Sequence, residues 1–153
     1  MQQRIAILDF ETTGMSPAHG ARAAEVGIVL VEGGRIVDRF QSLMDAGQSM
    51  PWNITQLTGI SSAMLRAAPP ADAVMREAAA FVGSTPLVAH NAAFDRKFWV
   101  DELQRSGCDA TQPFACTVLL SRRLYPEAPS HSLGRIVRHL QLPPADKAHR
   151  PLA

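Results

Sequence analysis

The chain has 153 residues, 46% of them hydrophobic and 19% charged, with a formal net charge of +1. This composition belongs to a folded globular protein and excludes a disordered or collagen-like chain, and no apolar run approaches the roughly 20 residues of a bilayer-spanning helix. The near-neutral charge excludes the global basic field that marks many nucleic-acid binders, and two cysteines, Cys108 and Cys116, are too few for a disulfide scaffold.

Met1-Gln2-Gln3-Arg4 has no signal-peptide pattern and leads straight into an apolar run, so a cytoplasmic protein is expected. Arg4 to Phe10 reads as a strand buried on both faces and therefore central in its sheet. Met15 to Gly20 reads as a loop. Ala23 to Glu32 (AAEVGIVLVE) and Arg35 to Leu43 (RIVDRFQSL) are the second and third strands. Gly33-Gly34 between them predicts a tight hairpin, because two glycines can take the positive φ angles it needs. Pro51 to Ala67 suggests short helical turns around Thr58-Gly59-Ile60, and Pro69-Pro70 then breaks the chain.

Ala71 to Val82 has helical spacing through Val74, Ala78, Phe81 and Val82 and stops before Gly83. Pro86 to Ala89 is a short apolar strand. A helix follows from about Ala92 to Ser106, with Phe94, Phe98, Val100 and Leu103 as apolar positions and Gly107 closing it. Thr117 to Leu124 and Ser132 to Leu140 are two more helices, the latter capped by Ser130 or Ser132 and followed by Pro143-Pro144. The order βββ-α-β-α-α-α predicts an α/β fold: an antiparallel meander extended by parallel crossovers, with helices packed on the sheet. No repeat or linker interrupts it, so residues 1–153 are expected to form one domain.

The first strand ends in Asp9-Phe10-Glu11-Thr12-Thr13-Gly14. Alternation along a strand puts Asp9 and Glu11 on one side. Two carboxylates aimed at one spot repel unless a cation or a shared proton lies between them, and hard oxygen ligands select Mg²⁺ or Mn²⁺. Thr12 and Thr13 add hydroxyls and backbone N–H groups, and Gly14 lets a ligand approach the main chain.

A second candidate is His90-Asn91-Ala92-Ala93-Phe94-Asp95, where a strand turns into a helix. Asn91 as a helix cap and Asp95 as a complement to the helix dipole would explain it; alternatively, Asp95 joins Asp9 and Glu11 around metal. The third is His149-Arg150. A terminal histidine is either an ordinary surface residue or the group that takes a proton from water near neutral pH.

Together these segments resemble the three exonuclease motifs of the DnaQ-like DEDDh family, 3′-5′ exonucleases with a ribonuclease H-like fold, which includes the proofreading epsilon subunit of bacterial DNA polymerase III. Asp9 and Glu11 in DFETTG match the first motif, Asp95 in HNAAFD the second and His149 the third. Ile54-Thr55-Gln56-Leu57-Thr58-Gly59-Ile60 is also similar to a segment common in the family. The resemblance implies a mixed five-stranded sheet and two Mg²⁺ or Mn²⁺ ions. Asp9 would bridge both ions, Glu11 would ligate one and Asp95 the other, with His149 as general base.

The implied reaction releases nucleoside 5′-monophosphates from single-stranded or frayed 3′ ends of DNA, in proofreading or repair, with a DNA polymerase subunit as a candidate partner. Glu11 and the Thr12 backbone would meet the terminal 3′-hydroxyl. Thr13, Gly14 and Met15 would line the terminal nucleotide's pocket, with His90, Asn91 and Phe94 beside the strand. The family's fourth metal-binding Asp lies five residues after the histidine, one position past Ala153, so this chain is expected to lack that Asp and the closing helix. Two alternatives stay open: an RNA or oligoribonucleotide exonuclease of the same family, and a non-catalytic module that docks to a polymerase.

Overall fold

Five strands build one mixed sheet in a computed structural model that describes residues 3–143. They are β1 (Arg4–Thr12), β2 (Ala23–Glu32), β3 (Arg35–Leu43), β4 (Leu87–Ala89) and β5 (Phe114–Cys116), in the spatial order β3-β2-β1-β4-β5. β1 to β3 form the antiparallel meander, and β4 and β5 extend the sheet in parallel beyond β1. Gly33 and Gly34 turn the β2–β3 hairpin at φ of 58° and 77°, a region glycine enters without steric cost. The helices are α1 (Trp52–Thr58), α2 (Ser62–Arg66), α3 (Ala71–Val82), α4 (Ala92–Arg105), α5 (Thr117–Leu124) and α6 (Leu133–His139). No helix among the described residues is long and apolar enough to cross a membrane.

One face of the sheet is the main core. Ala6, Leu8 and Phe10 of β1 and Val26, Ile28 and Leu30 of β2 pack on Val74, Met75 and Ala78 of α3 and on Phe98, Trp99 and Leu103 of α4. Each large side chain buried there contributes roughly 1.5–3 kcal/mol. Trp99 escaped the helical spacing read from the sequence, yet it is fully buried, and its indole N–H donates to Gln112 Oε1 at 2.9 Å. α4 is fixed to the sheet by Glu102, whose carboxylate accepts from the Arg22 guanidinium at 2.8 and 2.9 Å and from the Ala23 N–H at 3.0 Å.

Two expectations need correction. β1 is central, but only one of its faces is buried; on the other, Ile7 is 43% exposed and Asp9 is open to solvent. That face floors a cleft, and an apolar strand lining a cleft reads in sequence like one buried on both sides. The residue pattern predicts four strands and not β5, whose three apolar residues Phe114–Cys116 run straight into α5 at Thr117 with no turn residue between them.

Candidate active site

The cleft, about 620 Å³, is lined by Asp9 and Glu11 on its floor, by His90, and by apolar side chains of α5 and α6 that include Leu120, Leu124 and Ile136. Asp9 and Glu11 share it because they alternate with Phe10, which turns into the core. Directly opposed residues of an antiparallel pair lie on the same face. The β2 residue opposite Asp9 is Gly27, and the one opposite Glu11 is Glu25. Glu25 is fully buried and accepts a hydrogen bond from the side chain of Gln41, which stands opposite Gly27 on β3.

Asp95 arrives from α4. In the parallel pair, the Ala6 N–H donates to the Pro86 carbonyl at 2.9 Å. Further along the same edge of β1 the partner strand has ended at Ala89, and the Phe10 N–H donates instead to Asp95 Oδ1 at 3.1 Å. The carboxylate of Asp95 therefore sits against the main chain between Asp9 and Glu11, with only 3% of the residue exposed.

Both carboxyls hold their protons more tightly than usual. Asp9 is pushed up to about 6, by burial first and then by the charge of Glu25. Although solvent reaches Asp9, protein crowds it on the cleft floor. Asp95 is pushed up to about 7, by burial first and then by the charge of Asp9. Among the described residues no three His, Cys, Asp or Glu side chains are arranged as a metal-binding group. The charge of Asp9 raises Asp95, and Glu11 lies with Asp9 on the cleft floor. Two crowded, mutually repelling oxygen donors fit a hard divalent cation, whose charge offsets that repulsion.

The remaining sequence-predicted residues fall in different places. His90 lines the cleft, but both ring nitrogens are engaged: Nε2 faces the His131 carbonyl at 2.7 Å and Nδ1 faces Thr117 Oγ1 at 2.9 Å. A carbonyl only accepts, so Nε2 carries a proton, and the ring braces the β4–α4 turn against α5. Asn91 opens α4 with φ of 69°, and its side chain makes no capping hydrogen bond, although its carbonyl accepts from the Phe94 N–H at 3.0 Å. Phe94 packs on the core, 5.1 Å from Phe98 between ring centroids, under Lys97 Nζ at 5.5 Å from the Phe94 ring centre. Thr12 is buried, and its hydroxyl donates to the Gly14 carbonyl at 2.7 Å. Thr13, Gly14 and Met15 line a separate hollow of about 250 Å³ with His19 and Gln48. His149 lies outside the described residues.

The family model described as exonuclease (RNase_T) matches residues 6–153. The chain belongs to this exonuclease family. It is a DnaQ-like exonuclease domain with a ribonuclease H-like fold, and the family's enzymes use divalent metal ions. A PolC-type DNA polymerase III of Clostridium perfringens is 38% identical over 88% of this chain and 9% of its own length. The 3′-5′ exonuclease DinG of Bacillus subtilis is 35% identical over 97% of this chain and 16% of its own. The chain thus spans a small fraction of the length of these relatives. Among solved structures, exonuclease X in complex with 5′ overhanging duplex DNA superposes with a TM-score of 0.78 at 27% identity, covering 97% of this chain and 82% of that one. E. coli exonuclease I in complex with a dT13 oligonucleotide has the same fold, with a TM-score of 0.84 at 17% identity over 99% of this chain and 38% of that one.

In this exonuclease domain the carboxylate that sequence reading passed over is Glu25. Its signal was present: a charged residue inside the otherwise apolar AAEVGIVLV run, two positions before a glycine. Recognising it needed the register of β2 against β1, which sets it opposite Glu11.

Proposed function

We propose that this domain is a metal-dependent 3′-5′ exonuclease that removes nucleoside 5′-monophosphates from single-stranded or frayed 3′ ends of DNA, in proofreading or repair. The observation that carries the reading is the delivery of Asp95 across 85 positions of sequence to the main chain between Asp9 and Glu11. Held by Asp9, Glu11 and Asp95, two Mg²⁺ or Mn²⁺ ions would stabilise the attacking and leaving oxygens of an in-line displacement. Asp9, coupled by charge to both Asp95 and Glu25, is the carboxylate whose repulsion a bound cation would relieve most. His149 takes the proton of the attacking water, a role His90 cannot fill while both its nitrogens are committed.

Past Glu11, β1 leads into the hollow at Thr13, two residues or about 7 Å along an extended strand. Thr13, Gly14 and Met15 are thereby suited to receive the terminal nucleotide, with the Thr12 backbone beside its 3′-hydroxyl. DNA as substrate is supported by the likeness to exonuclease X, solved in complex with duplex DNA, and a polymerase partner by the PolC-type relatives.

The test is digestion of a 5′-labelled single strand with Mn²⁺. Stepwise shortening by the wild-type protein, abolished in Asp9→Ala with the fold intact, is the expected result. An Asp9→Ala protein that digests at the wild-type rate overturns the assignment.

A further inference from the structure

The chain has two tryptophans in opposite situations. Trp99 is 0% exposed in the core, whereas Trp52, the first residue of α1, is 75% exposed. An indole is among the side chains that gain most from burial, so one left in water asks for a partner. Its chain neighbour Pro51 lines the hollow that begins at Thr13, and Met15 on the same lining is 77% exposed.

The hollow is a braced feature. The Thr13 hydroxyl donates to Gln48 Oε1 at 2.8 Å, while Gln48 Nε2 donates to the Gly20 carbonyl at 2.6 Å, so one side chain ties two walls together. Lys97 Nζ donates to the Met15 carbonyl at 3.3 Å and tethers the Met15 segment to α4. No carboxylate lines the hollow among the described residues, in contrast to the cleft that holds Asp9 and Glu11. A lining without carboxylates, with Met15 exposed on it and Trp52 one residue from Pro51 at its edge, suits a phosphate backbone carrying unpaired bases.

We infer that Trp52 is a stacking platform for an unpaired base of the strand entering the site. The inference rests on the nuclease reading and adds to it a residue that selects single strands. A base already paired and stacked in a duplex cannot lie on the indole until the end frays. Every base has a π-face, so the platform tolerates any sequence.

The structure supplies its own reporter, since Trp52 is the exposed indole and Trp99 is buried. In EDTA, a short oligothymidylate is expected to quench the tryptophan emission of the full chain and to shield it from acrylamide. With Mn²⁺, Trp52→Ala should raise KM for a single-stranded oligomer about 5- to 100-fold, the range that loss of one base stack allows, and Trp52→Phe should recover most of the loss. Wild-type digestion together with an unchanged KM in Trp52→Ala, and with acrylamide access unaffected by the oligomer, overturns the platform and leaves the nuclease reading standing. A wild-type protein that neither binds nor digests the oligomer overturns both.

Discussion

Asp95 accepts the Phe10 N–H at 3.1 Å in the position that a longer β4 would have filled. The contact makes Asp95 both the end of a sheet ladder and a candidate cation ligand, and two substitutions separate these roles. Asp95→Asn keeps an acceptor for the Phe10 N–H; Asp95→Ala leaves that buried donor unsatisfied, at about 1–3 kcal/mol. Both variants should lose metal-dependent digestion. Thermal unfolding in EDTA should place Asp95→Ala roughly 3–10 °C below Asp95→Asn. Equal melting temperatures would show that the bond contributes nothing to the fold.

The raised carboxyls set a pH dependence of stability. Asp95 moves from 3.8 to about 7 and Asp9 from 3.8 to about 6. A carboxyl with a higher pKa in the folded state binds its proton more tightly there. The folded state therefore carries no penalty below the unfolded value near 4, and accumulates one as the pH rises toward 7. For Asp95 the penalty is on the order of 2–4 kcal/mol; Asp9 adds less, because solvent reaches it. In EDTA the melting temperature should fall between pH 5 and pH 8, and Asp95→Asn should flatten that fall. Mn²⁺ should raise the melting temperature more at pH 8 than at pH 5, since protons compete for the same oxygens. A wild-type slope retained in Asp95→Asn would assign the dependence to other groups.

Glu25 lies directly across the ladder from Glu11, and its charge raises Asp9. Replacing it with glutamine removes one negative charge beside the pair. Two consequences of opposite sign follow in one protein. Glu25→Gln should be more stable than wild type in EDTA at pH 8, because Asp9 ionises with less repulsion. It should also bind Mn²⁺ about 10- to 100-fold more weakly, in the range seen when groups behind metal ligands are lost. Calorimetric titration and thermal unfolding read the two effects independently, and a variant changed in neither would remove Glu25 from the electrostatics of the site.

Much of this fold was legible in the chain because its local signals agree with its tertiary structure. The Gly33-Gly34 hairpin, the β2 and β3 limits and the helix from Ala71 to Val82 follow from turn chemistry and apolar period, and the structure keeps those limits. β5 was hidden because it passes directly into α5 at Thr117, with no turn residue to mark where the strand ends and the helix begins. The open face of β1 was hidden because a continuous apolar run does not tell a face packed under a helix from one that floors a cleft. In the site, the common face of Asp9 and Glu11 follows from strand geometry alone. The approach of Asp95 and the placing of Glu25 depend on which strands become neighbours, which is a long-range outcome. The two-residue step from Glu11 to Thr13 also crosses from cleft to hollow, a division that only the shape of the surface reveals.

Asp95 can reach β1 only while α4 is held in place, and the ion pair of Glu102 with Arg22 holds it. The Glu102 side chain is 1% exposed and that of Arg22 17%. The same carboxylate takes the Ala23 N–H at 3.0 Å at the start of β2. Removing one partner of such a pair leaves an uncompensated charge, at about 3–5 kcal/mol, so Glu102→Ala should be the most destabilising of the substitutions considered. Replacing both partners with apolar residues often restores stability elsewhere. Here Arg22→Met with Glu102→Leu should recover only part of it, because the Ala23 N–H still lacks its acceptor. Glu102→Gln, which keeps an oxygen for that N–H, should fall between wild type and Glu102→Ala in thermal unfolding. Full recovery in the apolar double variant would show that neither the ion pair nor the tie to Ala23 is needed to anchor α4.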